Sequence, residues 1–159
     1  MKLVIGSDKS GFALKEAIVH YLIDCGYNVT DVGTTSLEEG KPFYVVAPVA
    51  AQKIQKKEAD LGILICGTGM GMSQVANKFQ GVLAACCESD FSARMCRAVN
   101  NSNILCMGGW IIAPELAIKM VDSFLNTQHT EGLESWRAAF LKEAFVKVQE
   151  IDGMFRGCV

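Results

Sequence analysis

Short apolar runs that stop at glycine alternate along this chain with stretches whose apolar residues recur every three or four positions. Residues 2–6 (KLVIG) form a brief apolar run ending in glycine and predict a buried strand. From 10 to 25, Leu14, Ala17, Ile18, Tyr21, Leu22 and Cys25 fall at helical spacing, and Gly26 supplies the stop. Residues 27–33 (YNVTDVG) alternate and end in glycine, as a second strand does. Residues 34–42 hold Thr, Ser, Gly and Pro and read as a loop. A helix comes next over 44–57, with Pro48 expected in its first turn, where proline is tolerated. Residues 61–66 (LGILIC) predict the third strand, 71–78 a short helix, 82–86 the fourth strand and 89–99 another helix. Residues 104–107 make the fifth strand, and 114–125 a helix opened by proline. A last helix over about 134–149 puts Trp136, Phe140, Ala144 and Val148 on one face.

Strands alternating with helices predict a doubly wound α/β fold: a parallel five-stranded sheet, Rossmann-like, with helices on both faces and an added C-terminal helix. In such sheets ligands bind outside the carboxyl ends of the strands. That rule selects the loops after Gly6, Cys66 and Met107.

Composition narrows the function classes. The 159 residues suffice for one domain, taken as 1–159, and for a full core. Fifteen Lys and Arg stand against 17 Asp and Glu, a net charge of −2, which argues against nucleic acid as a partner. No stretch approaches the roughly 18 apolar residues of a membrane span, and the N-terminus reads as a strand and not as a signal peptide. A cytoplasmic protein is the expectation. Cysteines occur at 25, 66, 86, 87, 96, 106 and 158 without any C-x-x-C spacing, and His20 and His129 lie far from any cysteine pair. No metal site is expected, and the cysteines other than Cys66 read as small buried hydrophobes.

Cys66 is set apart by its C-terminal neighbours. In Ile65-Cys66-Gly67-Thr68-Gly69-Met70-Gly71-Met72-Ser73 a strand ends in a thiol and three alternating glycines lead into a helix. Such a turn directs backbone N–H groups at an anion, and the same electropositive surroundings favour thiolate. A thiolate beside an anion hole suits a nucleophile or a proton-abstracting base. A tight turn around a buried thiol uses the same residue types, and those types alone leave both readings open. The spacing is neither the dinucleotide fingerprint nor a P-loop. Two further clusters sit at loops. Gly6-Ser7-Asp8-Lys9-Ser10-Gly11 offers an Asp for sugar hydroxyls and a Lys for an anion, or simply a cap for the next helix. Asn100-Asn101-Ser102-Asn103 offers polyol ligands or turn residues.

G-S-D-x-x-G after the first strand, I-C-G-T-G-x-G-M-S after the third, A-N-K at 76–78, S-A-R at 92–94 and N-N-x-N at 100–103 occur in this order. Together they resemble the ribose-5-phosphate isomerase B / galactose-6-phosphate isomerase family, over essentially the whole chain. The resemblance implies an aldose–ketose isomerase that works without metal or cofactor, through a cis-enediolate. It implies Cys66 as the base and Thr68 as the group that assists ring opening. Backbone N–H groups of 67–71, including Gly67, Gly69 and Gly71, with Ser73 and Asn77 close by, would bind the enediolate end. Asp8, with Lys9 beside it, would meet substrate hydroxyls, and Asn100 and Arg137 would complete the pocket. It further implies a homodimer or dimer of dimers whose sites combine the cysteine loop of one subunit with the Asn100 segment and C-terminal region of another, the helix at 134–149 packing on the partner.

The departures from the family pattern lie on the side that grips the far end of the sugar. Lys9 follows Asp8 where the family often has histidine. Val99 stands where it has a histidine for ring opening or phosphate contact, and Trp110 and Glu134 stand where it has arginines. Neither His20 nor His129 matches the lost histidine. Glu134 is expected to face solvent or a cation. Trp110 and Trp136 are expected to offer apolar faces or to close the pocket. The expected substrate is a small phosphorylated sugar of four to six carbons other than ribose 5-phosphate. Two alternatives remain: the cysteine-loop subunit of a hetero-oligomeric galactose-6-phosphate-type enzyme, and a non-catalytic sugar-binding module. The intact Cys66, Thr68, Gly71 and Ser73 weigh against the latter.

Overall fold

The computed structural model describes residues 1–156, so Cys158 lies outside the described residues. Five strands and six helices succeed one another in the expected order: β1 Lys2–Ser7, α1 Phe12–Asp24, β2 Asn28–Asp31, α2 Phe43–Gln55, β3 Leu61–Cys66, α3 Met70–Ala76, β4 Ala84–Cys86, α4 Asp90–Ala98, β5 Ile104–Gly108, α5 Pro114–Leu125 and α6 Ser135–Arg156. The strands form one parallel sheet in the order β2-β1-β3-β5-β4. The chain reverses its direction of winding between β1 and β3, which makes their carboxyl ends the switch point where a ligand crevice opens.

Alternation along the buried strands divides the core in two. Leu3, Ile5, Ile63, Ile65, Leu105 and Met107 face α1, α4 and α5. Val4, Leu64, Cys66, Ile104 and Cys106 face α2 and α3. Both faces of β3 are buried along its whole length, which is why it reads as a continuous apolar run. The base candidate Cys66 is thereby assigned to the α2/α3 face by strand period alone.

Several expectations need correction. Pro48 lies inside α2, in its second turn, because the helix already begins at Phe43 behind Pro42. Its missing N–H removes one intrahelical bond, and the helix continues because Val46, Ala47, Ala50, Ala51 and Ile54 are packed on the sheet. Helix α6 runs seven residues past position 149, and its Trp136, Phe140 and Val148 are exposed, with Ala144 half-buried. Strand β4 starts only at Ala84, because residues before it are held by side chains: Leu83 donates its N–H to Asn103 Oδ1 at 2.8 Å. Cys25 and Cys86 are exposed, and Cys66, Cys87, Cys96 and Cys106 are buried.

One buried group escaped the periodicity altogether. Lys15, on α1, is fully buried. Its ammonium donates to Asp31 at the end of β2, pairs with Glu16 at 2.6 Å and donates to the Thr34 carbonyl at 2.8 Å. It thus ties α1 to the start of the loop that leads to α2.

Candidate active site

Three loops meet at the carboxyl edge beside the switch point. The loop after β1 continues the sheet: the Asp8 N–H donates to the Ile65 carbonyl at 3.2 Å. The Asp8 carboxylate accepts the Gly11 N–H at 3.0 Å, so one of its oxygens shapes its own turn. Lys9 is exposed, and its stem lies against Gly40, where a Cβ would sit 3.1 Å from the Lys9 Cβ. The loop after β5 is bonded to the end of β3. Gly109 N–H donates to the Cys66 carbonyl at 2.7 Å, and Trp110 N–H to the Gly67 carbonyl at 3.0 Å.

Cys66 is the last residue of β3 and is 5% exposed. The next turn folds back on it, so that Gly69 N–H donates to Cys66 Sγ at 3.1 Å. This needs φ of +79° at Gly69, a left-handed conformation that favours glycine. A Cβ there would also lie 2.8 Å from the Met107 carbonyl carbon and 2.9 Å from Cys86 Sγ. Gly67 is required for a different reason: its missing side chain leaves room for the Trp110 indole, which would be 2.8 Å from a Cβ. On the other side of the turn Phe43 packs on Gly71, 3.0 Å from the position of a Cβ. Two aromatic rings thus bracket residues 67–71. Helix α3 spans only seven residues, so the donors that matter are the N–H groups of the turn and of the first helical turn, where Gly71 and Met72 have no intrahelical acceptor.

Thr68 is half-buried, and its Oγ1 accepts the Met70 N–H at 3.4 Å, which leaves its own O–H available to donate. Cys86 lies on the far side of the same turn, with Sγ donating to the Thr68 carbonyl at 3.5 Å. Desolvation pushes the Cys86 thiol up, and the neighbouring Cys87, Glu88 and Cys66 add to that. Cys106, fully buried behind them, is raised well above the ordinary thiol value for the same first reason. Cys86 and Cys106 therefore stay protonated.

The remaining predicted residues lie elsewhere. The Ser73 hydroxyl donates to the Ala84 carbonyl at 3.2 Å. Asn77 ends α3, at the opposite edge of the sheet from Cys66. Its amide brackets Ala84, donating to the carbonyl and accepting the N–H, both at 2.8 Å. That geometry satisfies the backbone of an edge strand. Asn100 comes after α4 at that same amino edge, exposed, in a cleft of about 350 Å³ lined also by Asn77, Val99, Leu141 and Phe145. Arg137 is exposed on α6, one turn before Leu141. Glu134 is exposed to solvent, as expected, and accepts the indole N–H of Trp136 at 2.5 Å. His129 borders the Asn100 cleft through Phe145, with ring centroids 5.5 Å apart. Desolvation lowers its pKa, against an opposing hydrogen bond to the Val99 backbone. One chain therefore brings together Asp8, Lys9, Cys66, Gly67, Thr68, Gly69 and Gly71. It keeps Asn77 and Asn100 at the other edge. Phe43 and Cys86 border the turn without any sequence signal, because nothing in residue spacing pairs them with Gly71 or Gly69.

A thiol and converging N–H donors at a switch point can remove a proton α to a carbonyl and hold the oxyanion that forms. Among the described residues no group of three or more His, Cys, Asp or Glu side chains could hold a metal ion. No helix among them is long and apolar enough to cross a membrane.

Fold and site define an aldose–ketose isomerase, and comparison with known proteins agrees. The family model described as ribose/galactose isomerase matches residues 3–140, and the chain belongs to that family. It is 59% identical over 152 residues, 96% of each chain, to the 4-deoxy-4-sulfo-D-erythrose isomerase of Clostridium sp. (strain MSTE9). It is 41% identical over 137 residues to ribose-5-phosphate isomerase B of Escherichia coli, covering 86% of this chain and 91% of that one. The solved ribose-5-phosphate isomerase B of Clostridium thermocellum superposes with a TM-score of 0.88 at 35% identity, over 98% of this chain and 99% of that one.

Proposed function

We propose that this chain interconverts 4-deoxy-4-sulfo-D-erythrose and the corresponding 2-ketose, with Cys66 as the base. The observation that carries the reading is the 59% identity, over nearly the full length of both chains, to an isomerase of that sugar. The departures at the distal grip support it. A phosphate monoester carries about −1.5 to −2 charge at pH 7, whereas a sulfonate carries a single one. An anion site with Trp110 and Glu134 in place of arginines, and with Arg137 and Lys9 as its cations, suits the smaller charge. A sugar with sulfur on C4 has no C4 hydroxyl and cannot close a five-membered ring. Its aldehyde is open, and a ring-opening histidine at the position of Val99 has nothing to do.

The thiolate of Cys66 takes the proton from C2, and the electron pair moves through C1–C2 onto O1. The N–H groups of residues 67–71 hold the resulting enediolate. The Cys66 thiol returns the proton to C1, while a proton passes from O2 to O1. Thr68, whose hydroxyl can donate, relays that second proton, which is a use for it that needs no ring. Asp8 binds a substrate hydroxyl through its second carboxylate oxygen. The site is shared between subunits of a homodimer: Asn100 and the α6 region carrying Arg137 come from the partner, because within one chain Asn100 stands at the wrong edge of the sheet. Exposed Trp136, Phe140, Ile151 and Met154 on α6 give the partner an apolar surface to cover.

The test is the purified chain alone against 4-deoxy-4-sulfo-D-erythrose, D-erythrose 4-phosphate and D-ribose 5-phosphate, with ketose formation followed by NMR. The highest kcat/KM should fall on the sulfonate. An equal or higher value on ribose 5-phosphate overturns the reading. No activity on any of them without a second polypeptide would favour the hetero-oligomer.

A further inference from the structure

Trp110 is 74% exposed, a large apolar surface left at the carboxyl edge one strand away from the base. Its position is fixed from three sides. Its N–H is bonded to the Gly67 carbonyl at 3.0 Å, and Gly109 before it is bonded to the Cys66 carbonyl at 2.7 Å. After it, Ile111 and Ile112 both donate their N–H groups to the Gly108 carbonyl, at 3.1 and 2.9 Å, and Ile112 is buried. The indole itself lies on Gly67, the residue next to Cys66, so closely that a Cβ there would be 2.8 Å from Cε3 and Cζ3. The backbone cannot swing away without breaking the bonds to the end of β3. An uncharged aromatic plane, its backbone held by the end of β3, therefore stands on the turn beside Cys66. It can pack on sugar C–H groups, but it has no charge with which to pair an anionic tail.

We propose that Trp110 is a specificity-determining residue that sets substrate length: its indole, seated on Gly67, forms a wall that accepts a four-carbon skeleton and rejects a longer one. The proposal rests on the four-carbon reading above and adds the residue that enforces it. With C2 held at Cys66, a four-carbon chain ends two carbons beyond it, and each further carbon drives the anionic group past or into the indole plane.

The experiment compares two acyclic sulfonates, so that ring opening plays no part: 4-deoxy-4-sulfo-D-erythrose and its one-carbon homologue, a 4,5-dideoxy-5-sulfo aldopentose. One methylene in a closed pocket is worth roughly 10- to 200-fold in kcat/KM. The wild-type chain should prefer the shorter sugar by a factor in that range. Trp110→Ala should abolish most of that preference, chiefly by lowering KM for the homologue, and Trp110→Phe should shift it less. If the alanine variant fails to fold, Trp110→Phe and Trp110→Leu carry the test. A preference unchanged within about threefold in the folded variants overturns the wall and leaves the substrate reading standing. A wild-type chain that does not turn over the shorter sulfonate overturns the substrate reading, and the wall falls with it.

Discussion

Cys66 and Asn100 stand at opposite edges of one parallel sheet: Cys66 closes β3 at the carboxyl edge, and Asn100 comes after α4 at the amino edge, just before β5 begins. The paired stretch Gly62–Cys66 against Ile104–Gly108 separates the two ends by four residue steps of about 3.3 Å. No side chain spans that distance, so a site containing both residues needs two chains. Mixing Cys66→Ala with Asn100→Asp subunits should then restore activity that neither has alone, since one of the two sites in a mixed dimer receives both native residues. A mixture that stays inactive after demonstrated subunit exchange contradicts the shared site.

The proposed site assigns the anionic end of the substrate to Arg137, which is exposed on α6. Losing a hydrogen bond to a charged group costs about 1.5–3 kcal/mol, which is a rise in KM of roughly 10- to 150-fold for Arg137→Ala. Arg137→Lys should recover part of it, because lysine keeps the charge and loses the planar fork. Steady-state kinetics on the sulfonated tetrose measures this, and an unchanged KM places the anion elsewhere.

Much of the fold was legible because local and global signals agree. The β3 run, its glycine stop and the proline opening α5 all appear in the structure where spacing puts them. Pro48 misled because tertiary packing of the small residues of α2 outweighs one lost backbone bond. The half of the site made by adjacent residues was legible too, since Cys66 and Gly69 are three positions apart. Asn77 was not: its motif gives its type, and only the structure shows both ends of its amide spent on Ala84. Lys15 was invisible for a related reason, being a charge on a helix face that periodicity assigns to water or to the core but never to Asp31, sixteen residues away.

That buried lysine makes a stability prediction. Lys15→Met keeps most of the stem and removes the ammonium, leaving Asp31 and the Thr34 carbonyl without it. Removing one partner of a buried pair typically costs about 3–5 kcal/mol. With Asp31 a quarter exposed, about 1–3 kcal/mol is expected. Urea unfolding measures it, and a variant as stable as the wild type contradicts a structural role for the pair.

His129 predicts a pH dependence. Its folded pKa lies below the ordinary value because burial disfavours the charged ring. The unfolded chain therefore binds the proton first as pH falls, and stability that is full above about pH 6.5 declines below it. His129→Gln should flatten that decline in urea unfolding between about pH 7.5 and 5.5. An identical slope in the variant contradicts the assignment.

Proton transfer by Cys66 is the core of the account, and one measurement addresses it directly. Wild-type chain and Cys66→Ala are each incubated with 4-deoxy-4-sulfo-D-erythrose in D2O, and ketose formation and deuterium at C1 are followed by NMR. A general base is worth about 10²- to 10⁴-fold. The account predicts a loss of kcat of that size in the variant, with KM little changed and with C1 deuteration falling in step with turnover. A folded Cys66→Ala chain that keeps more than about a third of kcat, or deuterates C1 at the wild-type rate, contradicts it, since no base contributes so little.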